Sequence, residues 1–416
     1  MGTRDCRRRT RAAFAGCVTP WPVLLAACSV ANLSYREVER DLDALVRVEG
    51  TGPDEKLVYE TDVALAPWYA RSYVLLPLKP LLMLGLPATT RNKLENPSEK
   101  VRELLVELAP KAGDDLGRAV ASTRLLVRVA ALDESALNRI AALDGLGCLA
   151  VAHGVDLVAG LTQGTRALDA AADLGKWRAD FQDLRPAART PPGSALAAAD
   201  AERYRAALAG LGATPRSHWQ DRLAVVNSLD VARRDEGDAD LRAATTAALQ
   251  QALGFAIQWS VVDAMAGRES ALVDVRMRAI EIIHRAGGPD SVPLLLAWLV
   301  SSPAAKATGE PDFDSDVMLQ RRLIHYCGQL DRARALQRVQ LPGREPWQAV
   351  APVEFLAQII LNDDPFTSPT VLPAREALAR CLGRSKVGLA DDLGPGSVDW
   401  VNEWYAEYSR TQGAPR

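Results

Sequence analysis

Apolar residues recur at helical rather than strand spacing along most of this chain, and that period leaves few folds open to it. Val101, Leu104, Leu105 and Leu108 fall on one stripe, at the offsets of three and four residues that successive turns of a 3.6-residue helix require. Over residues 35–48 the same pattern returns: Val38, Leu42, Leu45 and Val46 share a face, with Arg36, Glu37, Glu39 and Arg40 largely opposite. Leu125, Val127 and Val129 begin another apolar element. Aromatic residues make up only 6% of the chain while Ala and Leu recur in every segment, which suits close helix packing better than a β-rich core of Val, Ile, Tyr and Phe. The expected class is all-α.

The 416 residues suffice for one large or two ordinary domains, and 48% hydrophobic with 24% charged residues is the balance of a folded body. A net charge of -3, from 49 basic and 52 acidic residues, gives no global field that would gather nucleic acid, so no nucleic-acid partner is expected. Residues 141–161 are apolar apart from Asp144, His153 and Asp156 and predict a buried hairpin broken near Gly145 and Gly147. Residues 63–87 are the oddest stretch of the body. They are almost membrane-like, yet Pro67, Pro77, Pro80, Arg71 and Lys79 interrupt the run of about 20 apolar residues that a spanning helix needs. A buried, broken helix pair, a patch lying on a bilayer and an apolar pocket all remain open there. Residues 185–199 collect Pro186, Pro191, Pro192 and Gly193 among small residues and read as a linker or a long interhelical loop.

Beyond Asp200 the helical segments begin to look alike. Asp240-Leu241-Arg242, followed by Thr245 and Leu249, has the offsets of Asp274-Val275-Arg276, followed by Ala279 and Ile283. Ala374-Arg375 with Leu378 and Leu382 is a weaker echo, and Val101-Arg102 with Leu105 shares part of the pattern. After the second copy, Gly287-Gly288-Pro289-Asp290 ends one helix and Val292-Pro293-Leu294-Leu295-Leu296-Ala297-Trp298-Leu299 forms the next. This resembles a HEAT repeat, and the resemblance implies an α-solenoid: one helix pair cannot bury both its apolar faces, but a stack of pairs can. Residues 301–316 are acidic, carry Pro303 and Pro311, and interrupt the spacing as a surface insertion would. Trp400, Trp404 and Tyr405 share roughly one face of a closing helix and are expected to cap the stack. The expected organisation is a leading segment at 1–27, a less regular helical region at 28–185, a linker or loop at 186–200, and a HEAT-like region at 201–416.

The leading segment has a chemistry of its own. Arg4, Arg7, Arg8, Arg9 and Arg11 make a strongly positive start, and no charge follows from Ala12 to Ala27, which is the charge step of a signal peptide. The apolar stretch ends in Leu25-Ala26-Ala27-Cys28-Ser29, which resembles the lipobox of bacterial lipoproteins. That resemblance implies diacylglycerol on the thiol of Cys28, removal of residues 1–27, and a body held in the bacterial cell envelope by more than one acyl chain. Ser29 is not the Asp associated with inner-membrane retention, so an outer-membrane anchor facing the periplasm is expected. Pro20 and Pro22 interrupt the apolar run, and Phe14-Ala15-Gly16-Cys17 is a poorer second match.

Catalytic and cofactor motifs are missing from the sequence: it holds no H-E-x-x-H, G-x-S-x-G, P-loop or dinucleotide fingerprint. His153 beside Asp156, and His325 beside Cys327, are the nearest approaches to a reactive pair, and both suit core contacts better. His218 and His284 stand alone. With Cys6 and Cys17 in the leading segment and Cys28 acylated, Cys148, Cys327 and Cys381 remain, enough for at most one bridge and without metal-site spacing. Acidic pairs such as Asp114-Asp115, Asp363-Asp364 and Asp391-Asp392 suit caps and turns. No catalytic, metal or cofactor residue is expected. The functional expectation is a membrane-tethered scaffold that binds another envelope protein, the alternatives being an envelope enzyme or its accessory subunit and a carrier of lipid or a small ligand.

Overall fold

A computed structural model describes residues 33–50, 54–59, 97–163, 171–213, 218–266, 273–299, 316–341, 349–363, 367–383 and 396–412. The fold is all-α. The first helix, α1 (Tyr35–Leu45), is opened by Glu37, whose carboxylate accepts the Ser34 backbone N–H at 2.8 Å. The expected helix over 35–48 stops early. Val46–Glu49 leaves it as a β-strand and pairs antiparallel with Lys56–Tyr59, Val46 opposite Tyr59 and Val48 opposite Leu57. Val46, Val48 and Val58 are β-branched and fit a pleated ribbon better than a helical last turn. The ribbon is tied to the body through Tyr59, whose hydroxyl donates to the buried Asp133 carboxylate and accepts from Asn138 Nδ2 at 2.9 Å.

Helices α2 (Pro97–Ala112), α3 (Leu116–Leu132) and α4 (Ala136–Ala152) pack on one another, and α1 lies on α2. The stripe of Val101, Leu104, Leu105 and Leu108 is fully buried, as its spacing predicts. Leu125, Val127 and Val129 do not begin an element; they lie inside α3. Helix α4 also runs unbroken through Gly145 and Gly147, correcting the hairpin expected there, and stops at His153 before α5 (Leu157–Gln163). The glycines serve packing. A Cβ on Gly145 would stand 2.9 Å from a methyl of Leu126, and one on Gly147 would stand 3.2 Å from Ile282.

After α6 (Ala171–Leu184), α7 (Ala198–Gly212) and α8 (Trp219–Asp235) comes α9 (Ala239–Ala266), 28 residues long. From Ala256 to Met265 every residue of α9 except Asp263 is buried. A helix apolar on all sides belongs in the centre of a protein, and α9 meets α3, α4, α5, α7, α8 and α10 (Val273–Gly287). Its Trp259 packs edge-on against Trp298, whose indole N–H donates to Leu161 O at 2.8 Å.

The two matching sequence segments open α9 and α10, and their stripes are buried alike: Leu241, Thr245 and Leu249 in one, Val275, Ala279 and Ile283 in the other. Only the second is followed by a turn and a further helix at the expected length. Helix α10 ends at Gly287, a 3-10 turn spans Gly288–Asp290, and α11 (Ser291–Leu299) folds back with Pro293 in its first turn. Helix α9 instead continues straight through the length at which a HEAT-like unit would turn. The chain then adds α12 (Val317–Cys327), a single helical turn at Arg332–Ala335, α13 (Pro352–Asn362), α14 (Val371–Cys381) and α15 (Gly396–Gln412). Helix α15 packs on α13, with Val401 and Tyr408 buried and Trp400, Trp404 and Tyr405 half-buried beside them.

Candidate functional site

The residues that sequence reading singled out are dispersed by the fold. Asp156 caps α5, its Oδ1 accepting the backbone N–H groups of Val158 at 2.9 Å and Ala159 at 3.1 Å, and His153 ends α4. Asp115 caps α3 through Arg118 N at 2.9 Å, and Asp363 accepts the hydroxyls of Ser368 and Thr370 at 2.8 and 3.0 Å. For Asp115 and Asp363 these are the cap and turn roles expected of the acidic pairs, while Asp364 and the pair Asp391-Asp392 lie outside the described residues. His218 is exposed at the start of α8. His325 is exposed and Cys327 fully buried, so the two neighbours face opposite ways. Cys28, residues 63–87 and residues 301–315 lie outside the described residues. Among the described residues no cluster of His, Cys, Asp and Glu could hold a metal ion, and no helix is long and apolar enough to cross a membrane.

His284 acquires partners that the sequence does not show. Its ring stacks on Tyr326 with centroids 3.8 Å apart, joining α10 to α12. Its Nδ1 lies 3.2 Å from Ser291 Oγ, and that hydroxyl donates to Gly288 O at 2.7 Å. With the Ser291 proton committed, Nδ1–H must be the donor to Oγ, which leaves Nε2 as the acceptor. Burial holds the His284 imidazole below its ordinary pKa, a backbone hydrogen bond at Gly288 opposes this, and the nearby His325 adds to it. Ser291 is fully buried, its proton given to Gly288 O and its oxygen facing His284 Nδ1, so the hydroxyl is not presented to solvent. The group clips two helices together. Beside it, Arg278 binds Asp144 of α4 at 2.6 Å and Glu281 at 2.8 Å, and Arg322 of α12 binds Glu281 at 2.9 Å, a chain of charges across three helices.

Among the described residues a concavity lies elsewhere, between the segment after α6 and one face of α8. It is a groove of about 180 Å³ lined by Arg185, Pro186, Ala187, Asn227, Ser228, Val231, Ala232 and Asp235. The α8 positions 227, 228, 231, 232 and 235 are spaced as one helical face. Val231 is 54% exposed although apolar, so the groove offers an apolar contact, while Asn227 Oδ1 is buried beside it without a hydrogen-bond partner.

A buried ion pair fixes the groove's shape. Arg189 and Glu236, with 3% and 0% of their side chains exposed, meet end-on: Nη1 donates to Oε1 at 2.9 Å and Nη2 to Oε2 at 2.7 Å. The same guanidinium donates to Leu184 O at 2.8 Å and Ser194 O at 3.2 Å, and lies 5.3 Å over the ring of Tyr204. One side chain thus holds both ends of the loop that forms one wall of the groove against the end of the helix that forms the other. Burial pushes the Tyr204 phenol up to about 12, so it stays neutral beside the pair. Sequence reading missed this clamp, because partners 47 positions apart carry no local pattern.

No protein family, curated protein or solved structure matches this chain.

Proposed function

We propose that this chain is a lipid-anchored scaffold of the bacterial cell envelope, tethered through Cys28, whose helical-repeat body holds another envelope protein at the groove beside α8. The observation that carries the reading is the groove's size and stiffness. At about 180 Å³ it falls below the roughly 300–1,000 Å³ of small-molecule sites and suits one side chain of a protein partner. A pocket that accepts a single anchor, with its walls already fixed by the Arg189–Glu236 pair, loses little freedom on binding. Arg185 and Asp235 supply charge of both signs beside it. The charge step at Arg4–Arg11 and the Leu25-Ala26-Ala27-Cys28 ending support the anchor.

The test is a photoreactive amino acid at Val231 in the full-length protein in its own cells. We expect one protein to be captured in far greater yield from Val231 than from a control position such as Gly175, and capture to fall in a Cys28→Ala form left off the membrane. Equal, diffuse labelling from both positions would contradict the scaffold.

A further inference from the structure

Cys327 and Cys381 are 54 positions apart in sequence, and the fold places them together. Cys327 is the last residue of α12 and Cys381 the last of α14, and these helices pack against one another. The Cys381 thiol donates to the backbone oxygen of Cys327 at 3.2 Å, with both residues almost wholly buried. A second feature shows how close the chains run. Gly328, which follows Cys327, has only enough room that an added Cβ would meet the Cβ of Ala377 at 3.3 Å and the guanidinium of Arg380 at 3.4 Å. The two helix ends are therefore in direct contact, and a disulfide needs α-carbons only about 4.4–6.8 Å apart.

We infer that Cys327 and Cys381 are a disulfide-forming pair, a covalent staple between α12 and α14 that closes when the protein meets a disulfide oxidant. With oxidised glutathione the chemistry balances. One cysteine loses its proton and attacks a glutathione sulfur, releasing one glutathione thiolate and leaving a mixed disulfide. The other, deprotonated in turn, attacks that mixed disulfide at the protein sulfur and releases the second thiolate. Two protein thiols become one disulfide and two protons, and the two electrons reside in two molecules of reduced glutathione.

Burial sets the kinetics. Desolvation raises both thiols, Cys381 to about 11 and Cys327 well above the ordinary range, so oxidation waits on a local opening of the two helix ends. Among the described residues Cys148 stands apart: it is exposed on α4, while the other two are buried. The inference stands apart from the anchor and the groove, since it needs only the folded body.

The purified full-length chain, reduced and then equilibrated without denaturant in glutathione buffers of graded potential, would be acid-quenched, alkylated, digested and mapped by mass spectrometry. We expect a Cys327–Cys381 peptide pair to exceed every other pairing by at least about tenfold, because the fold raises the local concentration of one thiol at the other. It should vanish on reduction, persist in Cys148→Ser, and accompany a higher unfolding temperature in wild type but not in Cys381→Ala. Recovery of both cysteines as free thiols at oxidising potentials, as glutathione adducts, or joined mainly to other cysteines would overturn the inference. The wild-type and Cys148→Ser arms decide the matter even if Cys381→Ala folds poorly.

Discussion

Two glycines in helices show why neighbours rather than propensity decide a residue's effect. Replacing an exposed mid-helix Gly by Ala gains up to about 1 kcal/mol, because Ala has less backbone freedom to lose. Gly175 in α6 has nothing within 4 Å of an added Cβ, so Gly175→Ala should gain that amount. At Gly145 the new methyl would enter the space of Leu126, an overpacking cost of about 1–3 kcal/mol that outweighs the helical gain. Opposite shifts of the urea midpoint for the two variants are the expected outcome. His284 makes a second prediction at this scale. Its folded pKa lies below the unfolded value, so as pH falls through the ordinary histidine range the unfolded chain takes up a proton that the folded chain refuses. That part of the stability is present above this range and is lost below it. Measured as unfolding free energy against pH, the slope near pH 6 should be shallower in His284→Gln than in wild type.

At the scale of elements, the best-defined unit is the loop between α6 and α7. Its Pro and Gly content reads from sequence as a break, yet Arg189 pins it at Leu184, Ser194 and Glu236. Removing one partner strands a buried charge, so Glu236→Ala should cost about 3–5 kcal/mol, while replacing both partners by apolar side chains of similar volume should cost much less. A double-mutant cycle by chemical denaturation measures the difference. The stripe Val101, Leu104, Leu105 and Leu108 was legible because its partners recur within one helix. The strand at Val46–Glu49 was not, since Val46 serves equally well as the end of a helical stripe and the start of a ribbon. His325 and Cys327 look like a pair on paper, but two residues along a helix turn by about 200°, which sends one to solvent and the other into the core.

For the whole molecule, the Ala- and Leu-rich composition and the 3.6-residue period were enough to indicate an all-α body, since both act locally in every segment. Where the helices go is a different matter. The central place of α9 rests on contacts with segments from α3 to α10, and its Gln258 reaches back to donate to Asp156 O. Sequence hints at this only through a helix that is apolar on every side. The repeat-like unit at α10 and α11 was readable because its turn, Gly287-Gly288-Pro289-Asp290, announces itself. The groove was not readable, because its walls are separated by α7 and its shape depends on a pair of distant charges. The proposed scaffold joins this body to a membrane at Cys28, and the tether is the part most directly open to measurement. Labelled palmitate fed to cells should enter the wild-type protein and leave Cys28→Ala unlabelled, with the variant released from the membrane fraction; equal labelling of the two would contradict the anchored scaffold.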